Sequence, residues 1–230
     1  MLDWLSGPAF ENLSSLSLQL LSWKAAFLVA VTSGRRVGDI HAMSADPELT
    51  VFHKDRVSIR LPDSYRPKID HAFHVTAPID LPTLTRPSSS GTSATCAHTL
   101  DVRRTLKVYI KRTKELRKDS QLFCCYGGGK AGLPASKQTI SRWLVSCICS
   151  AYVCKGKLPP EGLKAHSVRA VATSRAFAAA LPIEEICSAA IWSRPSTFIK
   201  HYQLDKHSRE RARFGQSVLS SGQSQTTLTK

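Results

Sequence analysis

The first clear pattern in the chain is a stripe of apolar residues at steps of three and four. This spacing places them on one face of a helix, which we predict to begin near Leu13. The helix should end at Gly34, because glycine adopts the left-handed conformation that closes a helix without steric cost. A short second helix is predicted over residues 36–43. The stripe consists of Leu16, Leu20, Trp23 and Phe27.

The periodicity changes to alternation after residue 50. Val57, Ile59 and Leu61 alternate with polar residues, which is typical of a strand with one buried face. Residues 51–52 are predicted to pair with this strand across a short turn, and residues 79–81 form a third short strand. The pattern predicts a mainly α chain with a small three-stranded antiparallel β-sheet, an α+β fold.

Capping residues and prolines mark the remaining predicted helices. Thr99 or Asp101 can cap a basic amphipathic helix, and Ser136 can cap the helix after it, because short polar side chains accept a bond from the first turn. The predicted helices span residues 99–117, 137–153 and 165–181, and two more begin at Pro182 and Pro195.

The composition indicates a folded protein with a polyanionic partner. A hydrophobic content of 42% excludes a mainly disordered chain. The net charge of +15 favours nucleic acid as the partner, although charge alone also fits a protein that is merely basic. No run of about 18 uncharged apolar residues is present, which argues against a transmembrane helix. The first residues contain Asp3 and no basic segment, which argues against a signal peptide.

The seven cysteines are odd in number and irregularly spaced, which favours reduced thiols in an intracellular compartment. Cys147, Cys149 and Cys154 are a candidate zinc cluster within "WLVSCICSAYVC". No fourth ligand stands at the usual spacing, so we interpret them as small buried apolar residues and expect no metal.

One candidate site for an anionic oxygen is the pair His166 and Arg169, which share a helix face. A guanidinium forks onto phosphate, and an imidazole transfers protons. The same spacing also fits a solvated helix face. The apolar neighbours Val168, Val171 and Ala172 favour a position beside a buried surface.

A second candidate is Arg36 in "SGRRVGDI", at the start of the second helix. Helix N-termini attract phosphate through their free N–H groups. Asp39, one turn later, can hold Arg36 in place. The alternative is that Arg35 and Arg36 are surface charges at a turn.

The third candidate is Tyr202, which shares a helix face with Phe198 and Ile199. The plain alternative is therefore a core aromatic. A tyrosine becomes a nucleophile when nearby cations favour the phenolate, and the two arginines, the histidine and Lys68 can supply that field.

In this order, the motifs "SGRRVGDI", "HSVR" and a tryptophan followed by a tyrosine resemble the signature of tyrosine recombinases, the phage-integrase superfamily. The segment "IWSRPSTFIKHYQLD" most resembles recombinases of DIRS- and Ngaro-type retrotransposons. The resemblance covers residues 13–205. It implies a catalytic domain over residues 1–216, a polar disordered tail over residues 217–230, an absent N-terminal core-binding domain and a nuclear location.

The resemblance also implies how a DNA phosphate is held. Arg36 and Arg169 would clamp the non-bridging oxygens, and His166 would transfer a proton and orient the phosphate. Trp192 would donate its indole N–H in place of the family's second histidine. Asp39 matches the acidic residue that supports the first arginine.

Tyr202 would attack and become linked to the 3′ phosphate, so that DNA is broken and rejoined through a phosphotyrosyl intermediate. Lys68 would protonate the leaving 5′ oxygen, with Lys54 as its rival. The cations replace a metal ion, and no cofactor is implied. The implied partner is double-stranded DNA, bound by a homo-oligomer up to a tetramer.

Two local departures from the family pattern stand out. Ala170 follows the H-x-x-R motif, where many relatives have histidine, and Trp192 lies ten residues before Tyr202 rather than nine, which places His201 at the usual tyrosine position. Three alternatives remain: an inactive DNA-binding protein of the same fold, a type IB topoisomerase, and a non-enzymatic zinc or scaffold module.

Overall fold

The computed structural model describes residues 1–10, 12–66, 78–84, 99–192 and 195–202, without the side chains of residues 197 and 200–202. It confirms the predicted fold class, because the described residues form mainly helices and one three-stranded antiparallel sheet. Two short 3-10 helices, Pro8–Phe10 and Gly128–Lys130, accompany the main elements. The main elements are α1 (Leu2–Leu5), α2 (Leu18–Ser33), α3 (Val37–Ala42), β1 (Thr50–Phe52), β2 (Arg56–Ile59), β3 (Ile79–Pro82), α4 (Val102–Thr113), α5 (Lys137–Val153), α6 (His166–Ala178), α7 (Ile183–Ala189) and α8 (Pro195–Tyr202).

Helix α2 lies at the centre of the molecule, where α3, α4, α5, α6 and β3 all pack against it. It begins later than the predicted Leu13, because Ser17 caps it and accepts a hydrogen bond from the N–H of Leu20. Leu13 and Leu16 extend the apolar stripe from a turn and are buried without being helical. The helix ends at the predicted Gly34, which has φ 60° and donates its N–H to the Ala30 carbonyl.

The sheet has the order β1-β2-β3 and packs its apolar face against the helices. In the register, Val57 lies opposite Leu81, and Ile59 lies opposite Ile79. All four side chains are buried, as the alternation predicts. The sheet therefore covers one side of α2 and leaves its polar face outward.

The other helices follow their predicted caps. Asp101 caps α4 by accepting from the N–H of Arg104, and this helix ends at Thr113 rather than near Arg117. Ser136 caps α5, which has the predicted bounds. Helix α6 begins at His166 and ends at Ala178, three residues before the predicted end.

The described residues form two separate apolar clusters. The larger one surrounds α2 and includes residues from the N-terminal segment, the sheet, α4 and α5. The smaller one, which we call the C-terminal cluster, holds α7 and α8 against α6. Its buried members are Ile186, Cys187, Ala190, Trp192 and Phe198.

The interpretation of three cysteines as small buried residues applies fully to Cys147 alone. Its thiol is buried, and this burial raises its pKa to about 12. Cys149 is partly exposed and Cys154 is exposed, because α5 turns these residues away from the core near its end. In the part of the chain that the structure describes, no helix has the length and apolar character needed to span a membrane.

Candidate active site

A cleft of about 870 Å³ gathers four of the six residues for which the resemblance implies a catalytic role. The cleft lies between the end of α2, the start of α3, α5 and the start of α6. It is lined by the predicted Arg36, His166, Arg169 and Trp192. Residues more than 120 positions apart in the chain therefore border one cavity.

Arg36 precedes α3 as its N-cap residue and has an extended backbone. Its N–H donates to Asp39 Oδ2 over 3.1 Å, and the Tyr65 hydroxyl donates to Asp39 Oδ1 over 2.8 Å. Asp39 is only 2% exposed, so both bonds are shielded from water. Asp39 thus fixes the backbone from which the Arg36 side chain extends.

Arg169 is buried, at 6% exposure, and lies one turn inside α6. Its Nη2 donates to the carbonyl of Ala190 over 2.5 Å, and its Cζ lies 4.8 Å from the centre of the Trp192 ring. A guanidinium over an indole face is an attractive cation–π arrangement. The loop after α7 therefore sets the positions of both Arg169 and Trp192.

The backbone of that loop is unusual at Ile191, which has φ 50° and is buried. A β-branched residue rarely adopts the left-handed conformation, which costs about 1–3 kcal/mol. The packing on either side offsets this cost. The turn places the Ala190 carbonyl and the Trp192 ring on the same guanidinium.

His166 is the first residue of α6 and is exposed on the wall of the cleft. Of its apolar neighbours, Val168 is buried, but Val171 is 51% exposed. The expectation that Val171 marks a buried surface is therefore wrong. Because Arg169 and Val168 are buried, the face of α6 that carries them is not a solvated helix face.

Arg35 differs most from its expected place. The alternative that it is a surface charge is wrong, because it is only 6% exposed and lines the cleft beside Arg36. Burial lowers the pKa of its guanidinium, and the nearby Asp39 and Tyr65 oppose that shift. The only sequence signal was the Arg-Arg doublet after Gly34, which does not indicate which arginine turns inward.

Two further cations on the cleft wall, Arg142 on α5 and Lys164 before α6, were missed by sequence reasoning. Both are exposed, and nothing but the high net charge pointed to them. They extend the positive surface outward from the two buried arginines. The cleft wall thus carries buried cations, Arg35 and Arg169, and exposed cations at its rim, Arg142 and Lys164.

The remaining predicted residues are placed only in part. Lys68 lies outside the described residues. Its rival Lys54 is exposed in the turn between β1 and β2 and does not line the cleft. Tyr202 is the last residue of α8, and its side chain lies outside the described part of the structure.

No protein-family model and no curated protein matches this sequence. Among solved structures, the chain is similar to the XerH site-specific recombinase bound to a palindromic difH substrate in a post-cleavage complex. The TM-score is 0.55 at 15% identity over 85% of this chain and 44% of XerH. The XerH pre-cleavage complex gives a TM-score of 0.54 at 14% identity over 84% of this chain and 46% of XerH.

This likeness concerns the fold, and the chain spans less than half the length of XerH. The predicted resemblance to a tyrosine recombinase catalytic domain is confirmed at that level. The closer similarity to DIRS- and Ngaro-type recombinases stays a prediction.

Proposed function

We propose that this chain is a DNA strand transferase of the tyrosine recombinase type, which breaks and rejoins DNA through a 3′-phosphotyrosyl intermediate. The observation that carries the proposal is the single cleft lined by Arg36, His166, Arg169 and Trp192, on a fold similar to that of XerH. Helix α8, which ends at Tyr202, packs against α6 and α7 beside the same residues.

The proposed roles follow from the chemistry of each side chain. Arg36 and Arg169 bind the two non-bridging oxygens of the scissile phosphate, where negative charge grows during attack. His166 can approach the phosphate because it is exposed on the cleft wall. Trp192, held against Arg169, is in our proposal an N–H donor to the same phosphate.

In the proposed reaction, the Tyr202 hydroxyl gives its proton to His166 as its oxygen forms a bond to phosphorus, while the bond from phosphorus to the 5′ oxygen breaks. The released 5′ oxygen takes a proton, for which Lys68 is the proposed donor and Lys54 the alternative. Attack by a 5′ hydroxyl on the phosphotyrosine reverses these steps and reseals the strand. The energy of the phosphodiester is retained in the enzyme-linked intermediate, so no external energy source is needed.

The proposed partner is double-stranded DNA, and the proposed assembly is a homo-oligomer. Exchange between two duplexes requires cleavage of four strands, which four copies with one nucleophile each provide. We further propose that residues 1–216 form the catalytic domain, that the tail follows from residue 217, and that the protein acts in the nucleus as a DIRS/Ngaro-type recombinase.

The test is to trap the covalent complex with a pool of random nicked duplexes. We expect the natural chain to give a denaturant-resistant protein–DNA band and Tyr202→Phe to give none. Tyr152→Phe is the matched control, because Tyr152 lies on α5 outside the cleft, and it should keep the band.

A band that persists in Tyr202→Phe would show that another residue is the nucleophile. Absence of the band in the natural chain, together with salt-sensitive DNA binding, would favour the non-catalytic DNA-binding alternative.

A further inference from the structure

Arg35 is a buried charge with two donor nitrogens that no described residue satisfies. Among the described residues, its Nε and Nη1 have no hydrogen-bond partner, although the side chain is only 6% exposed. A buried guanidinium without an anion or acceptor destabilises a fold, because it has lost its hydration and gained nothing in return. We therefore expect a hydrogen-bond acceptor or an anion to pair with this guanidinium in the functional state of the protein.

The position of Arg35 is fixed by the backbone around it. Gly34 ends α2 in the left-handed conformation, and the Arg35 N–H donates to Ser33 Oγ over 3.2 Å. A Cβ on Gly34 would lie 3.9 Å from the methyl group of Thr173, so α6 packs closely against this turn. Thr173 in turn donates to the Arg169 carbonyl over 3.0 Å. Arg35 is therefore held at the junction between the turn and the helix that carries Arg169.

Among the described carboxylates, Asp39 and Asp80 are engaged with other partners. Asp39 already accepts from the Arg36 N–H and the Tyr65 hydroxyl. Asp80 accepts from Ser58 Oγ over 2.5 Å and lies 3.6 Å from Arg56 Nε.

Arg35 lines two cavities, and only one of them has an excess of positive charge. The smaller cavity, of about 350 Å³, also has Asp80 and Glu185 on its wall, which disfavours an anion there. The cleft has Arg36 and Arg169 on its wall, together with the rim cations already described. An anion that pairs with Arg35 is therefore expected on the side of the cleft.

We propose that Arg35 is a third guanidinium that binds a DNA backbone phosphate in the cleft, together with Arg36 and Arg169. This inference rests on the proposed function, because it takes DNA as the occupant of the cleft. Among the described residues, the free protein leaves the Nε and Nη1 of this buried guanidinium without a hydrogen-bond acceptor. Binding of the phosphate removes that cost and couples DNA binding to the stability of the turn between α2 and α3.

The first experiment measures the melting temperature with and without inorganic phosphate at constant ionic strength. Arg35→Met removes the charge and keeps an unbranched side chain of similar reach. We expect it to raise the melting temperature of the free protein by about 3 °C or more, as replacement of an unpaired buried charge does. The stabilisation by phosphate should fall to less than half of that seen with the natural chain.

The matched control is Arg104→Met, which removes an arginine from α4 outside the cleft. It should keep the full stabilisation by phosphate. Arg35→Lys, which keeps the charge without the fork, provides a second variant if the methionine variant does not fold. It should also lose part of the stabilisation, because an ammonium cannot bind phosphate through two parallel N–H bonds.

The second experiment measures DNA binding by fluorescence anisotropy in a Tyr202→Phe background, so that no covalent step contributes. Loss of Arg35 should weaken binding about tenfold, the order expected for one charge-assisted hydrogen bond. The slope of log affinity against log salt should become shallower by about 0.9, the contribution of one neutralised phosphate.

The outcomes separate this inference from the proposed function. A lower melting temperature for Arg35→Met, rescued by Glu185→Gln, would show that Arg35 pairs with Glu185 across the smaller cavity and would overturn the inference. An unchanged phosphate stabilisation or salt slope would do the same. A natural chain that binds no DNA, yet is stabilised by phosphate through Arg35, would instead contradict the proposed function.

Discussion

Asp39 is the residue through which the local structure of the cleft is organised. Its two carboxylate oxygens join the backbone of Arg36 to the hydroxyl of Tyr65, which belongs to the segment that leads to Lys68. Gly38 makes room for this contact, because a Cβ there would lie 3.2 Å from the Tyr65 oxygen. A single buried carboxylate thus ties the start of α3 to Tyr65, which precedes Lys68 by three residues in the sequence.

Tyr65→Phe tests this link by removing one oxygen atom. We expect the free energy of unfolding to fall by about 1–3 kcal/mol, because a buried carboxylate loses a donor. Burial and the bond to Asp39 raise the pKa of Tyr65, so the hydroxyl stays a donor across the neutral range. Urea unfolding at pH 7 measures the change. Tyr152→Phe, on the partly exposed face of α5, should lose less, and equal losses would contradict a specific role for the Tyr65 hydroxyl.

At the scale of elements, α7 and α8 depend on the C-terminal cluster rather than on the main core. Phe198 is fully buried, and its ring lies 5.3 Å from that of Phe177 and 5.8 Å from that of Trp192. Trp192 also contacts Arg169, so the helix that carries Tyr202 and the proposed phosphate site share one aromatic side chain. We therefore expect a loosened C-terminal cluster to displace the proposed nucleophile while the main core stays folded.

Phe198→Ala is expected to release α8 while the main core stays folded. Truncation of a buried phenylalanine removes about 3–5 kcal/mol of packing, which is large for a small cluster. Hydrogen exchange followed by mass spectrometry should show lost protection in residues 183–202 and unchanged protection in α2. The covalent band should be lost while DNA binding is kept. Phe123→Ala, in the main core, is the comparison, since it should lower protection throughout.

The sequence predicts elements better than it predicts side-chain burial. Ser136 and the apolar spacing behind it define α5 to the residue, because both signals are local. Leu13 fits the helical spacing although it lies in a turn, because it is buried and so extends the apolar pattern beyond the helix. The burial of Arg35 depends on how α6 packs against the end of α2, and the bond between Tyr65 and Asp39 joins residues 26 apart. Neither contact leaves a periodic signal in the chain.

At the scale of the whole molecule, the charge cannot be balanced internally. With 32 basic and 17 acidic side chains, 15 cations would lack an acidic partner even if every carboxylate paired once. Ion pairs in the described part, such as Arg56–Asp55 and Lys155–Asp3, lie at the surface, where they contribute little to stability. The excess positive charge is therefore available to a polyanion. The cleft, which is lined by the buried Arg35 and Arg169, is the concave surface that presents part of this charge.

This charge leads to a prediction for the 230-residue chain in the Tyr202→Phe background. DNA affinity should fall about 100-fold or more between 50 and 200 mM salt, because each neutralised phosphate contributes about −0.9 to the slope of log affinity against log salt. Anisotropy titrations at several salt concentrations measure the slope, and sucrose at matched osmolality separates ion release from changes in water activity. A flat profile would mean that the excess cations do not meet DNA phosphates. The cleft would then have to serve a small anion, and the proposed strand transfer would lose its substrate.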